Sequence, residues 1–228
     1  MRNNSIAYVA IVDYGTGNLF SVMQACERVG LLATITSSPQ EILNASVVIL
    51  PGVGAFGEAM KTLRKVGLVE PLQKVACSGI PLIGICLGMQ LLMTESHEFG
   101  RHLGLGIIEG EVFRMKETQN AVHYYKVPQV GWNRIQLTEV ASEGSRKLAG
   151  GPKINLLAGI EQNAFMYFVH SYYCKPNDIN SVLSVTQHGE FTFCSALRCG
   201  NVYGFQFHPE KSGSLGLHIY RNLARMIQ

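Results

Sequence analysis

The sequence predicts an open α/β fold: a mostly parallel sheet flanked by helices, with antiparallel strands added in the second half of the chain. Three observations carry this expectation. Short, unbroken apolar runs such as residues 6–12 and 47–50 alternate with stretches of helical periodicity through the first third of the sequence. Runs that are apolar at every position, not every second one, suit strands covered on both faces. After about residue 107 the pattern changes to closely spaced β-like runs, until a helical stretch closes the chain.

Taken in order, residues 6–12 read as a buried strand ending at Asp13, followed by a loop, Asp13-Tyr-Gly-Thr-Gly17. Leu19, Val22, Met23, Cys26 and Val29 then recur at helical spacings of three and four, and the stripe stops at Gly30. Residues 32–36 and 47–50 are the next strands, and helical pattern returns over 58–65 and around 69–77. Residues 81–85 form a further short strand, and 88–93 read as the start of a helix. Later strands are expected at 107–113, 165–170, 182–186, 191–197 and 202–207, several of them paired as antiparallel hairpins. A closing helix covers 215–227. The polar stretches 116–126 and 138–153 read as loops inside one domain spanning 1–228, since no repeat or linker interrupts the chain.

Composition narrows the function classes. Hydrophobic residues make up 47% of the chain and charged residues 15%, which excludes an extended disordered protein. A net charge of +3 without a basic run or stripe gives no support for nucleic-acid binding. The opening apolar run is too short to span a membrane. The six cysteines form no CxxC pair and no Cys/His cluster with zinc spacing, so neither a metal nor a cofactor is expected. Reduced thiols and a cytoplasmic location follow as the default.

The string Gly84-Ile-Cys86-Leu-Gly88 sits between a buried strand and a helix, the context of a nucleophile elbow. There the helix N-terminus favours a thiolate and offers N–H groups to an oxyanion. Alone, such a cysteine is as easily a packed core residue. Phe207-His208-Pro209-Glu210 changes the balance, because a thiolate needs a base and the base needs an orienting carboxylate. With an extended backbone, the two-residue offset would turn His208 and Glu210 to the same side.

Gly84-Ile-Cys-Leu-Gly-Met-Gln90 and Gly204-Phe-Gln-Phe-His-Pro-Glu210 resemble the two signatures of class I, triad-type glutamine amidotransferases, whose fold is flavodoxin-like. Pro51-Gly-Val-Gly-Ala55 is similar to a third family segment, and the motifs run from residue 13 to 211. Asp13-Tyr-Gly-Thr-Gly-Asn-Leu19, Gly131-Trp-Asn133, Phe168-Val-His-Ser-Tyr172 and His208-Pro-Glu-Lys-Ser212 further resemble the glutaminase subunits of imidazole glycerol phosphate synthase. The stretch Val127-Pro-Gln-Val-Gly-Trp-Asn133 departs from the His-Met-Gly-Trp-Asn expected there. Paralogues supplying ammonia for amidination of a surface-polysaccharide sugar share every glutaminase residue, so the ammonia acceptor stays open between the two. A cysteine peptidase is disfavoured by Leu87 after the nucleophile, and a silent binding subunit by the complete triad.

The resemblance implies Cys86, His208 and Glu210 as catalytic residues, and the backbone N–H groups of Val53 and Leu87 as the oxyanion hole. It implies Gly52, Gln90, Glu98, Ser171 and Tyr172 around the glutamine. It also implies a (β/α)8-barrel cyclase as heterodimer partner, facing Asn18, Trp132, Tyr167 and Lys211. His170 reads as a structural, hydrogen-bonded residue, and histidines 97, 102, 123, 188 and 218 likewise.

Overall fold

The computed structural model describes residues 7–119, 124–142 and 155–227. An eight-stranded sheet forms its centre. Its strands, numbered in chain order, are β1 (Tyr8–Val12), β2 (Leu32–Thr36), β3 (Val47–Gly52), β4 (Leu82–Cys86), β5 (Gln136–Leu137), β6 (Val182–His188), β7 (Phe191–Cys199) and β8 (Val202–Phe205). They lie in the order β5-β6-β7-β8-β4-β3-β1-β2. The stretch from β2 to β8 is parallel throughout. The antiparallel strands β7, β6 and β5 extend it beyond β8.

The helices are α1 (Leu19–Glu27), α2 (Pro39–Asn44), α3 (Phe56–Lys65), α4 (Val69–Ser78), α5 (Leu87–Leu91), α6 (Glu139–Ser142) and α7 (Gly213–Ile227). Their placement explains the unbroken apolar strands. Val9 and Ile11 of β1 pack into one core with Val22 and Cys26 of α1 and Ile219 and Leu223 of α7. Ala10 and Val12 point the other way, into a second core with Ile42, Met60, Leu63 and Leu72 from α2, α3 and α4. Side chains alternate across a strand, so a sheet with helices on both faces needs apolar residues at successive positions. Among the described residues, no helix is long and apolar enough to cross a membrane.

Several boundaries differ from the sequence reading. Residue 6, the expected start of β1, and His123 lie outside the described residues, as do 120–123 and 143–153 of the two polar stretches. Of what remains of those stretches, Thr118–Gln119 pairs with Tyr124–Tyr125, and Glu139–Ser142 is helical. The helix expected over 88–93 is confined to Leu87–Leu91, and Met93–Ser96 is a strand. It belongs to a second, four-stranded sheet with Tyr172–Pro176, Ile108–Arg114 and His102–Leu103. The expected strand at 202–207 ends at Phe205. Gln129–Arg134, not foreseen as a strand, forms an antiparallel ladder with Phe165–His170.

The turn from β4 into α5 is packed so closely that glycine is required twice. A Cβ on Gly88 would stand 1.7 Å from the Leu50 carbonyl oxygen of β3, and one on Gly84 would stand 2.7 Å from the Gly88 oxygen. Backbone, not a flexible side chain, blocks both positions. Gly88→Ala is therefore expected to lower the free energy of unfolding by about 3 kcal/mol, read as a lower urea midpoint. An unchanged midpoint would contradict this packing.

Candidate active site

Cys86 is the last residue of β4 and immediately precedes α5, with φ 55° and ψ −110°. A non-glycine residue held there carries strain of roughly 1–3 kcal/mol. Two neighbours on the sheet enforce it: Gly52 of β3 pairs with Cys86, and Phe205 of β8 pairs with Ile85. The chain stays in the sheet until Cys86 and enters the helix in the next step. The sequence-predicted elbow is present. Cys86 is buried, with its sulfur 3.7 Å from Gln206 Nε2 and 3.8 Å from the Val169 carbonyl oxygen.

His208 and Glu210 follow β8. The expected extended segment is a 3₁₀ turn, Pro209–Lys211, opened by the proline. The tighter turn still joins the pair, with Nδ1 of His208 2.8 Å from Oε1 of Glu210. A carboxylate accepts, so Nδ1 carries a proton and Nε2 is left for chemistry. Nε2 is buried and has no hydrogen-bond partner among the described residues. Burial works against the charged imidazole, but the Cys86 sulfur and the Glu210 carboxylate override it and raise the His208 pKa to about 10. The imidazole is thus favoured in its charged form by its two neighbours.

The histidine backbone is also tied down. Its N–H donates to the Tyr167 oxygen at 2.9 Å. The Tyr167 N–H donates to Ser212 Oγ at 3.0 Å, and that hydroxyl donates to the His208 oxygen at 2.7 Å.

A cavity of about 370 Å³ opens over Cys86. Of the sequence-predicted residues, Val53, Leu87, Gln90, Glu98, Ser171 and Tyr172 line it. Gly52 does not. It lies beneath the wall, where a Cβ would stand 2.3 Å from the Tyr14 hydroxyl. Gln90 is not an exposed helix residue: its Nε2 donates to the Tyr172 oxygen at 3.1 Å and to Gln206 Oε1 at 3.2 Å. Nor is Glu98 a solvated loop carboxylate, since it is buried and accepts from the Phe56 N–H.

His170 is buried, with Nδ1 2.9 Å from the Tyr172 oxygen, and burial pushes its pKa down to about 4. The hydrogen bond to the backbone is the one foreseen, and the ring also lines the cavity over Cys86. Trp132 is 55% exposed, so the single tryptophan is not a core residue, and its ring meets that of Tyr167 edge-on at 6.0 Å. Lys211 is exposed, and Asn18 is half-buried with Nδ2 3.5 Å from Glu210 Oε1.

Sequence reasoning missed three features. Gln206, buried beside the sulfur, lay inside a quoted motif without a role; its place two residues before His208 was the available signal. Phe99, 86% exposed at φ 52°, also lines the cavity. Glu95, His97 and Glu111 bring potential metal-donor atoms within 4.8 Å of one another. Their two carboxylates come from adjacent strands, which Cys/His spacing cannot reveal. These donors already have partners. Arg101 reaches Glu95 Oε2 at 2.6 Å, and His97 Nε2 lies 3.2 Å from Glu111 Oε2.

Similarity to known proteins agrees with this geometry. The family model described as glutamine amidotransferase class-I matches residues 10–225. The chain belongs to that family. Within it, the chain belongs with the imidazole glycerol phosphate synthase subunits HisH. It is 42% identical over 219 residues to the one from Syntrophotalea carbinolica, covering 96% of this chain and all of that one. The protein of the same name from Wolinella succinogenes is 43% identical over 218 residues, covering 96% and 99%. Among solved structures, PurLQS from Thermotoga maritima superposes with a TM-score of 0.70 at 17% identity, over 97% of this chain and 99% of that one. A glutamine amidotransferase from the same organism gives 0.61 at 14%, over 97% and 98%. These two likenesses establish the fold, which is the open α/β architecture expected.

The sign of the pH dependence follows from the Glu210 contact. With His208 raised to about 10 partly by Glu210, its proton stays on through neutral pH and is lost as pH rises through that value. Glu210→Gln removes one of the two supports, so the alkaline limb of a pH–activity profile should move to lower pH. The maximal rate should fall about 10²-fold or more. An alkaline limb that stays in place would show that Glu210 does not hold the imidazole proton.

Proposed function

We propose that the whole chain, 1–228, is one glutaminase domain that hydrolyses glutamine to glutamate and ammonia and delivers the ammonia to a cyclase subunit. The observation that carries this is the Cys86 thiol at a strained turn, beside the His208–Glu210 pair, at a cavity lined by four of the five residues expected around glutamine. The Cys86 thiolate attacks the side-chain amide carbon. The oxyanion is held by the N–H groups of Leu87 and Val53, each donor contributing ~3 kcal/mol. His208 gives its proton to the departing ammonia, leaving a thioester. It then takes a proton from water as the hydroxide attacks, and glutamate leaves with the thiolate restored. Gln90, Glu98, Ser171 and Tyr172, with Gly52 beneath them, make up the glutamine site in this reading. The Gly52–Val53 peptide turns its N–H inward only on activation, which leaves the free subunit nearly idle.

Ammonia released into neutral water is protonated and lost as a nucleophile, so a partner must cover the site. The HisH relatives are named as subunits of imidazole glycerol phosphate synthase. The proposed partner is a (β/α)8-barrel cyclase that uses the ammonia on a phosphoribulosyl aminoimidazole carboxamide intermediate, yielding imidazole glycerol phosphate and AICAR for histidine biosynthesis. Similarity to HisH subunits over nearly the whole chain disfavours the sugar-amidination alternative. The exposed Trp132 and Lys211, with Tyr167 and Asn18, form the proposed contact face. A cytoplasmic setting accompanies this reading, in keeping with six cysteines that are all free. Neither metal nor cofactor takes part.

Glutamate release from glutamine, measured with and without the cyclase and its ribulosyl substrate, tests the proposal. Strong stimulation by the partner is expected, and Cys86→Ala should abolish turnover in both settings. Trp132→Ala should weaken association by about 2 kcal/mol while leaving the cavity intact. Turnover that survives Cys86→Ala would remove the triad from the mechanism.

A further inference from the structure

The amide orientations of two buried glutamines are fixed by a single backbone carbonyl. Either end of a glutamine amide fits most sites, and the assignment normally rests on the surrounding network. Here the network begins at the Tyr172 carbonyl oxygen, which only accepts. The Gln90 atom 3.1 Å from it must therefore be the nitrogen, Nε2. That same nitrogen lies 3.2 Å from one end of the Gln206 amide, which must be the oxygen, Oε1. The remaining end of Gln206, the NH₂ group, then faces the Cys86 sulfur at 3.7 Å. Reversing Gln206 would set two donors against each other and an oxygen against a thiolate.

We propose that Gln206 is a catalytic residue whose side-chain N–H stabilises the Cys86 thiolate, held in that orientation by Gln90 and the Tyr172 carbonyl. The inference rests on the proposed glutaminase chemistry of Cys86 and adds a neutral donor to its triad. Gln206 suits the task because it is fully buried, so water does not compete for its N–H groups. Its backbone is anchored as well, with the N–H donating to the Ser195 oxygen at 2.9 Å.

The other titratable groups that interact with Cys86 come from three elements. His208 follows β8, Tyr14 lies after β1, and Cys174 sits in the strand Tyr172–Pro176. Burial raises the Tyr14 hydroxyl to about 12 and pushes the Cys174 thiol well up, so both stay neutral at working pH. Among the described side chains, His208 and Gln206 are then the ones placed to offset the charge on sulfur, beside the N-terminus of α5. Because Gln90 also lines the cavity, the donor on the sulfur is joined through one hydrogen bond to the wall that meets the substrate.

Alkylation of Cys86 by iodoacetamide across pH reads thiolate formation without requiring glutamine turnover, so it separates this proposal from the glutaminase reading itself. The exposed Cys77 and Cys199 are first changed to serine in every sample. Gln206→Met, close in shape but without a donor, should shift the alkylation profile to higher pH and slow the reaction at neutral pH about tenfold. Gln206→Glu, which puts an acceptor against the sulfur, should slow it further. Profiles superposable on the parent in both variants would overturn the proposal. Should burial prevent either variant from folding, the parent protein still decides the question. The side-chain amide resonance of Gln206 must move as Cys86 titrates, and a resonance that stays still overturns the proposal.

Discussion

A strand passes into a helix at Cys86 without an intervening residue, and two missing side chains make this possible. Gly88 lets the first turn of α5 rest on the Leu50 carbonyl of β3, and Gly84 lets β4 lie beneath that same turn. Cys86 is caught between them in a backbone region that costs energy. The register Gly52↔Cys86 then sets the end of β3, and with it Val53, beside the sulfur. β8 brings His208 to the same end of the sheet from the other side. Each functional group thus sits at the carboxyl end of a parallel strand, where strand ends converge and helices begin.

The parallel sheet was legible because its physical cause acts residue by residue. Val9 and Ile11 serve one core and Ala10 and Val12 the other, so both faces appear in five letters of sequence. The site was legible for a similar reason: Gly84, Cys86 and Gly88, then His208 and Glu210, are local constellations whose chemistry needs short spacings. What could not be read was decided at long range or in very few residues. Met93–Ser96 follows directly on the apolar turn Leu91-Leu92 that closes α5, and it becomes a strand through its pairing with Ile108–Arg114. α2 buries only Ile42, too little for a periodic signal, although Ser38 and Glu41 form a capping pattern that marks its start. His-Pro-Glu alone reads as an ordinary turn, and a turn is what forms, in place of the extended segment expected to carry both side chains.

Buried polar residues are the other part that sequence leaves dark. Gln90, Glu98, Gln206 and His208 are each almost wholly enclosed, and each is paired with backbone or with another buried side chain. Enclosing such groups is unfavourable unless their hydrogen bonds are made. A buried polar cluster therefore holds its members in one arrangement, which suits the proposed role of Cys86, His208 and Glu210 acting together. Spacing along the chain cannot show that Gln90 meets Gln206, because the two are 116 residues apart.

Phe165–His170 is at once the inner wall of the site and the outer skin of the molecule. Tyr167 holds the backbone of His208 through its carbonyl, Val169 places its own carbonyl near the sulfur, and the paired strand carries Trp132 into solvent. Short, directional hydrogen bonds pass a displacement onward, whereas a rotatable side chain would absorb it. A shift of this ladder would therefore reach the His208 backbone through the Tyr167 and Ser212 hydrogen bonds.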